Sequence, residues 1–440
     1  MSPSVADDKT EVGSYFIANY PPFSVWSREA VDTDVRPALA ATPAAAPLGL
    51  YLHIPFCRKR CHFCYFRVYT DKNAKEVQAY LDTLARECEL YAKQPAIAGR
   101  PLNFVYFGGG TPSFLSTKQL QSLVSRMDAV IPWRNAEEIT FECEPGTLSE
   151  PKLAALRAIG VTRLSLGVEN FSDRLLEING RAHRSPEIWR AYEHARSLQF
   201  PQINIDLIAG MLGETEDNWR DSVRKTIDLA PDSVTIYQME LPFNTTISKS
   251  LRGGDQPLDG TVANWSTKRR WVGEAFEAFE KAGYTVGSGY AVVKNPDQTK
   301  FVYRDRLWQG ADMMGLGVAS FGHINGVHLQ NLDSFAPYCD EISRGRLPLG
   351  RGLRPTAEER LIREFVLQLK LGKLRPAHFA DKYGIDVLDR FGEALRDLAD
   401  EGMLVSATPE QITLTRQGLL QVDTLLPRFF LARHQNLRYT

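Results

Sequence analysis

Cys57, Cys61 and Cys64 stand in the stretch LYLHIPFCRKRCHFCYFR (Leu50 to Arg67), separated by three residues and then by two. Half of the chain's six cysteines lie there. Three thiolates on one short loop can close around a soft metal centre, and cysteine sulfur is what holds iron-sulfur clusters. Three protein ligands leave a fourth iron open, and an open iron can bind a small molecule directly, which suits a catalytic cluster better than a purely electron-carrying one. Zinc sites usually pair a CxxC with a distant second pair or with His; His53 and His62 flank the loop without that spacing. Disulfides fit less well, because no signal peptide is expected ahead of the loop. Cys88, Cys143 and Cys339 are scattered and read as small buried hydrophobes.

A second set of residues falls at the ends of β-rich runs. After NFVYF comes Gly108-Gly109-Gly110-Thr111-Pro112, where three glycines let the backbone approach a ligand and leave amides free for an anionic group. The plainer account is a tight turn. ITFE ends in Glu142, RLSLGVEN carries Glu169, and Arg181 follows twelve residues later. A solvated strand end and a surface helix charge are the simpler readings of Glu142 and Arg181. Asp206 interrupts the apolar run INIDLIAG, and burying a lone carboxylate is costly unless it is bonded.

The elements that would position these groups follow from periodicity. From Leu50 to about Tyr290, short β-rich runs (YLHI, NFVYF, ITFE, RLSLGV, INIDLI, SVTIYQM, YTVGSGY) alternate with amphipathic helical patterns. Val77, Leu81, Leu84 and Cys88 share one helical face, as do Leu120, Leu123 and Met127. This is the signature of α/β units with right-handed crossovers, which curl into a barrel or partial barrel whose strand C-terminal ends form one functional rim. The expected division is residues 1–48 as an aromatic strap (Tyr15, Phe16, Tyr20, Phe23, Trp26) plus a Pro/Ala linker, 49–350 as barrel and extension, and 351–440 as helices with a two-strand wing, a winged-helix-like module. Beyond the sixth strand, Trp271 to Ala282 reads as a helix and GLGVASFGHING (Gly315 to Gly326) as a second glycine-rich turn.

With 440 residues, 43% of them hydrophobic, the chain can bury a large core. Its net charge of -1 disfavours nucleic acid as the main partner, and the C-terminal module shows no basic stripe. No run reaches the roughly 18 apolar residues of a membrane helix. Free thiols suit a reducing compartment, so a cytoplasmic location is expected.

At the cysteine loop the sequence resembles the radical S-adenosylmethionine (SAM) enzymes, specifically the oxygen-independent coproporphyrinogen III oxidase group with its haem-chaperone, haem-degrading and methyltransferase relatives. The resemblance runs from about Gly49 to the C-terminus. It implies a partial six-stranded barrel, a 4Fe-4S cluster on Cys57, Cys61 and Cys64, and SAM chelating the open iron. Tyr51 and Phe63 match positions packing near SAM. Gly109, Gly110 and Thr111 match the element holding its amino group, Glu142 a SAM-contacting Glu, Arg181 an Arg pairing with its carboxylate, and Asp206 a partner for ribose or adenine. Glu169 stands where the family usually has Gln on the SAM ribose. Gly317 and Ala319, with Ser320 and Phe321, correspond to the wall of a second SAM pocket. The family further implies a substrate such as a tetrapyrrole, with Arg67, His183, Arg184 and Lys294 as possible propionate partners, and an electron donor such as flavodoxin or ferredoxin. The N-terminal strap and the C-terminal module would fold over the active-site mouth. One departure is Phe66, where oxidases of this group carry a fourth Cys. Decarboxylation, methylation or cyclopropanation with a second SAM, haem rearrangement, and haem chaperoning are all compatible with these residues.

Overall fold

The computed structural model describes residues 17–242, 245–251, 253, 260–435 and 437. Tyr15 and Phe16 of the expected strap lie outside them. Six parallel strands form the centre: β1 (Leu48–Ile54), β2 (Leu102–Gly109), β3 (Glu138–Cys143), β4 (Arg163–Glu169), β5 (Gln202–Ala209) and β6 (Ser233–Gln238). Leu50, Leu52 and Ile54 enter the main core, while Tyr51 and His53 alternate to the other face beside Tyr106. Residues on that second face are the ones available to a ligand.

The helices between strands form for reasons visible in the chain. Asn73 caps the helix Ala74–Ala92 by accepting from the amides of Lys75 and Glu76, and Glu76 reaches back to the Asn73 amide. Val77, Leu81, Leu84 and Cys88 are at most 2% exposed, so the predicted face is the one that packs. Ser116 caps Thr117–Asp128 in the same way, with Leu120, Leu123 and Met127 buried. The expected helix at Trp271 starts a turn and a half earlier, running Trp265–Lys281 from an Asn264 cap.

The sheet is open rather than closed. Its order is β12-β11-β10-β9-β1-β2-β3-β4-β5-β6-β8-β7, adding β7 (Thr285–Ser288), β8 (Ala291–Val293), β9 (Asp312–Leu316), β10 (Phe321–Ile324), β11 (Val327–Asn331) and β12 (Leu349–Leu353). β9 runs parallel to β1, and the outer strands are antiparallel. YTVGSGY therefore contributes an antiparallel strand: only Gly289 and Tyr290 separate β7 from β8, too few residues for a parallel crossover.

The Pro/Ala stretch begins with a short helix, Arg36–Ala40, whose Pro37 sits in the first turn where a missing N–H costs nothing. Upstream, Phe23 and Trp26 pack on Phe321, and Trp26 stacks on His328. Ile17 and Tyr20 join the core of the C-terminal helices. There Ala357–Leu369 leads into β13 (Lys373–Leu374), and the helices Pro376–Tyr383, Val387–Arg390 and Gly392–Asp400 follow before β14 (Leu404–Ala407) and β15 (Ile412–Leu414), the three strands forming a small sheet ordered β13-β15-β14. Among the described residues no helix is long and apolar enough to cross a membrane.

Candidate functional site

β1 delivers the cysteine loop to the rim. The loop is closed at its neck by Tyr69 N–H to Pro55 O (2.7 Å) and Cys57 N–H to Tyr69 O (3.1 Å). Gly110 and Thr111 donate their amides to Ile54 O and Phe56 O (2.8 and 2.9 Å), which stitches the turn after β2 to the same loop. A side chain at Gly110 would come within 3.0 Å of Cys57 Sγ, and Gly109 (φ +114°) lies 2.7 Å, at its virtual Cβ, from the His53 ring. Glycine is required there by close approach.

Two of the three thiols already face hydrogen-bond donors. Thr111 Oγ1 lies 3.3 Å from Cys57 Sγ, and Arg181 Nη1 3.4 Å from Cys61 Sγ. Burial pushes the Cys57 thiol up to about 11 and Cys64 to about 12, so neither ionises unaided near neutrality. All six cysteines are free; Cys88 and Cys143 are buried and Cys339 half-buried.

The carboxylates expected from the strand ends meet across the same face. Glu142 accepts from Tyr106 Oη (2.6 Å) and the Gly109 amide (3.2 Å). Burial pushes it up to about 7 against the Tyr106 hydrogen bond, and Asp206 and Glu169 push the same way. Glu169, itself at φ +63°, is also raised to about 7 by burial, opposed by Arg181. Asp206 is held by Ser165 Oγ and Asn204 Nδ2, both at 2.8 Å, and is raised by burial. Arg181 Nη2 donates to Gly167 O (2.6 Å) and stands 3.6 Å from Glu169. Tyr51 lies parallel to Tyr106 with ring centres 5.8 Å apart, and Phe63 packs with Ile208, Met211 and Met239.

Gly317 and Ala319 are placed differently. Gly317 is buried, its amide donates to Glu87 Oε2 (2.8 Å), and a Cβ there would stand 2.5 Å from Tyr80 Oη and 2.8 Å from His53 O. Ala319, at φ +61°, bonds through its amide to Leu332 O (2.9 Å). The turn between β9 and β10 is thus held against the helix Ala74–Ala92, β1 and the residue that follows β11. Of the residues considered for propionates, His183 is fully buried, and Lys294 pairs its amide with Asp232 O ahead of β6, at the opposite end of the sheet from the rim. Arg67 and Arg184 remain on the surface near exposed Asp333 and Glu177.

One group is absent from the sequence reading. Glu144, 8% exposed, accepts from Arg58 Nη2 at 2.9 and 3.1 Å and from the Gly146 amide at 3.1 Å, and it faces His183 Nδ1 at 3.2 Å. Arg58 belongs to the cysteine loop, so this buried carboxylate clamps the loop to the end of β3. A Cβ at Gly146 would lie 2.3 Å from the Arg58 guanidinium. The glutamate two residues after Glu142 was the only hint in the chain.

The model of the Radical SAM superfamily matches residues 51–226, which holds the cysteine loop and every rim residue from β1 to β5. Over 373 residues the chain is 30% identical to the heme chaperone HemW of Bacillus subtilis, with 84% of this chain and 96% of that protein covered. The chain belongs to the radical SAM superfamily. Its similarity to the oxygen-independent coproporphyrinogen III oxidase of Escherichia coli is 26% over 427 residues, covering 92% and 90%. The solved structure of the E. coli coproporphyrinogen III oxidase, titled a radical SAM enzyme, superposes with a TM-score of 0.81 at 25% identity over 94% of this chain and 97% of that one. The radical SAM family uses a 4Fe-4S cluster and SAM, and this chain is a radical SAM enzyme of the coproporphyrinogen oxidase type.

Proposed function

We propose that Cys57, Cys61 and Cys64 hold the cluster, that the strand-end residues hold SAM, and that the enzyme takes a hydrogen atom from a tetrapyrrole or similarly large substrate. The observation that carries this reading is the meeting of thiols and excess carboxylates on one rim: Glu142, Glu169 and Asp206 share it with Arg181. Such a face suits a cationic ligand rich in hydroxyls, and SAM carries a sulfonium, an ammonium and a ribose.

The donor set fits the cluster. Three free thiols lie on one loop, close enough that Cys61 and Cys57 raise Cys64, though short of ligating geometry among the described residues. Metal binding supplies the ionisation that burial denies them. When bound, the cluster and SAM supply a 5′-deoxyadenosyl radical that removes a hydrogen atom from an unactivated carbon. The protein's share is position. Thr111 and Arg181 orient two sulfurs, Gly109 and Gly110 admit a ligand against the backbone, and Glu142 and Asp206 present acceptors held by Tyr106, Ser165 and Asn204.

Next to the end of β6, a crevice of about 40 Å³ is lined by Tyr237, Gln238, Trp265, Tyr290 and Asp423, reaching the C-terminal module. The test is anaerobic turnover of reconstituted protein with SAM, dithionite and coproporphyrinogen III, read by mass spectrometry. Loss of two carboxyl groups supports porphyrinogen decarboxylation, and a gain of about 14 mass units from an added CH₂ supports methylation. A haem chaperone is the second reading, favoured by the likeness to HemW over 96% of its length and by Phe66. Tight stoichiometric haem binding, with no substrate-dependent change in mass, is what that reading expects.

A further inference from the structure

Six large hydrophobic side chains are exposed among the described residues, and the three aromatic ones are Tyr65 (37%), Phe66 (51%) and Tyr237 (43%). Single exposed apolar groups are ordinary on a protein surface, but grouped ones mark a binding site. These three are grouped. Phe63, packed with Ile208, Met211 and Met239, anchors the cysteine loop on the ends of β5 and β6. Two residues on, Tyr65 has its ring centre 4.6 Å from that of Phe66 and stands near Glu240, just past β6. Along β6, Val234 and Ile236 enter the core, so Tyr237 falls with Thr235 on the ligand face. There its neighbours are Tyr65 and the rim carboxylates Glu142, Glu169 and Asp206.

Acidic groups dominate this mouth. Besides the three rim carboxylates, Glu240 and Asp423 line the crevice beside Tyr237. Of the cations, Arg181 is engaged by Cys61 and Gly167 O, and Lys370 by Ile17 O and Asp423. Arg269 shares the crevice with Glu240 and Asp423. The residues considered for propionates are buried, remote or turned to carboxylates: His183 and Lys294 in the first two cases, Arg67 and Arg184 in the third. A polycarboxylate would bring like charge to like at this mouth, which is unfavourable. An uncharged conjugated system meets no such penalty, and its π face stacks on aromatic rings.

We propose that Tyr65, Phe66 and Tyr237 form an aromatic platform that binds the uncharged, unsaturated part of a small-molecule substrate and selects against polycarboxylates. The platform adjoins the carboxylates assigned to SAM, so a ligand stacked on it lies beside the source of the radical. Among large substrates this narrows the choice to conjugated or aromatic molecules without acid groups.

This inference rests on the reading that the rim holds SAM beside a cluster, and the experiment separates the two. Reconstituted full-length protein with SAM is titrated anaerobically with all-trans-retinol, an uncharged polyene, and with coproporphyrin III, a polycarboxylate, each followed by its own fluorescence. Retinol should bind saturably and more tightly than coproporphyrin III. Tyr237→Ala and Phe66→Ala should each weaken retinol binding about tenfold, while Tyr237→Phe, which keeps the ring, should bind it as wild type does. Phe66→Arg should weaken retinol binding and strengthen that of coproporphyrin III, a reversal that loss of structure would not produce. Because Phe66 is more than half exposed, its variants test the platform even where Tyr237→Ala fails to fold. Tighter binding of coproporphyrin III than of retinol in wild type, or retinol binding undiminished in the alanine variants, would overturn the platform and leave the SAM rim standing. Wild type that binds no SAM in equilibrium dialysis would sink both.

Discussion

Glu144 and Arg181 hold the cysteine loop from two sides, one through Arg58 and the other through Cys61. The cysteines themselves were legible because their spacing is local, whereas Arg58 and Glu144 are 86 residues apart and only the register of β3 brings them together. The strand-end carboxylates could be listed from the sequence, but not that Arg181 would face Glu169. Replacing Glu144 by Ala leaves the Arg58 guanidinium without its acceptor and removes the carboxylate facing the fully buried His183, so Glu144→Ala should destabilise the protein by about 1–3 kcal/mol in chemical denaturation and lower the iron retained after reconstitution. Titration at the rim gives a second expectation. Glu142 and Glu169, both raised to about 7, are neutral below that pH and ionised above it, and a cationic ligand prefers the ionised forms. SAM affinity measured by equilibrium dialysis should therefore rise about tenfold from pH 6 to pH 8, and the rise should be shallower in Glu142→Gln. An affinity that falls over this interval would contradict the assignment.

At the scale of elements, the six parallel strands and their helices followed from periodicity because each buries an unbroken apolar face. β9 to β12 escaped it: DMMGL, FGHI and VHLQN are short, carry glycine or buried polar residues, and are stabilised by neighbours far along the chain. The turn between β9 and β10 shows how such a segment is held. Glu87, fully buried, accepts from the Gly317 amide (2.8 Å), Tyr338 Oη (2.6 Å) and Asn331 Nδ2 (2.6 Å). Gly317→Val would push a side chain into Tyr80 and His53 O, so it should lower the melting temperature or yield insoluble protein, while Ala319→Gly, at positive φ, should be neutral or stabilise by about 1 kcal/mol or less. Burial raises Glu87 to about 7 against those three hydrogen bonds. A carboxyl raised in the folded state contributes stability that is full below about pH 4.5 and is lost as the pH climbs to about 7, on the order of 3 kcal/mol for this group. Denaturation of wild type and Glu87→Gln across that interval should show a decline in the first that is reduced in the second.

On the scale of the molecule, the open sheet leaves one rim accessible, and every rim residue named from β1 to β5 lies within the stretch matched by the superfamily model. The strap could be read as packed but not where. Ile17 donates its amide to the Asp423 carboxylate and accepts at its carbonyl from Lys370 Nζ, and Asp423 also accepts from Tyr290, so the strap, the β7–β8 turn and the C-terminal helices meet beside the crevice at the end of β6. These contacts join residues hundreds of positions apart, which no local pattern encodes. Radical chemistry here depends on the three thiols, and its most direct test is 5′-deoxyadenosine formation by anaerobically reconstituted protein given SAM and dithionite, measured beside the iron content. Wild type and Cys88→Ser should bind iron and cleave SAM, and Cys57→Ala, Cys61→Ala and Cys64→Ala should each lose both. Undiminished 5′-deoxyadenosine from any one of those three would contradict it.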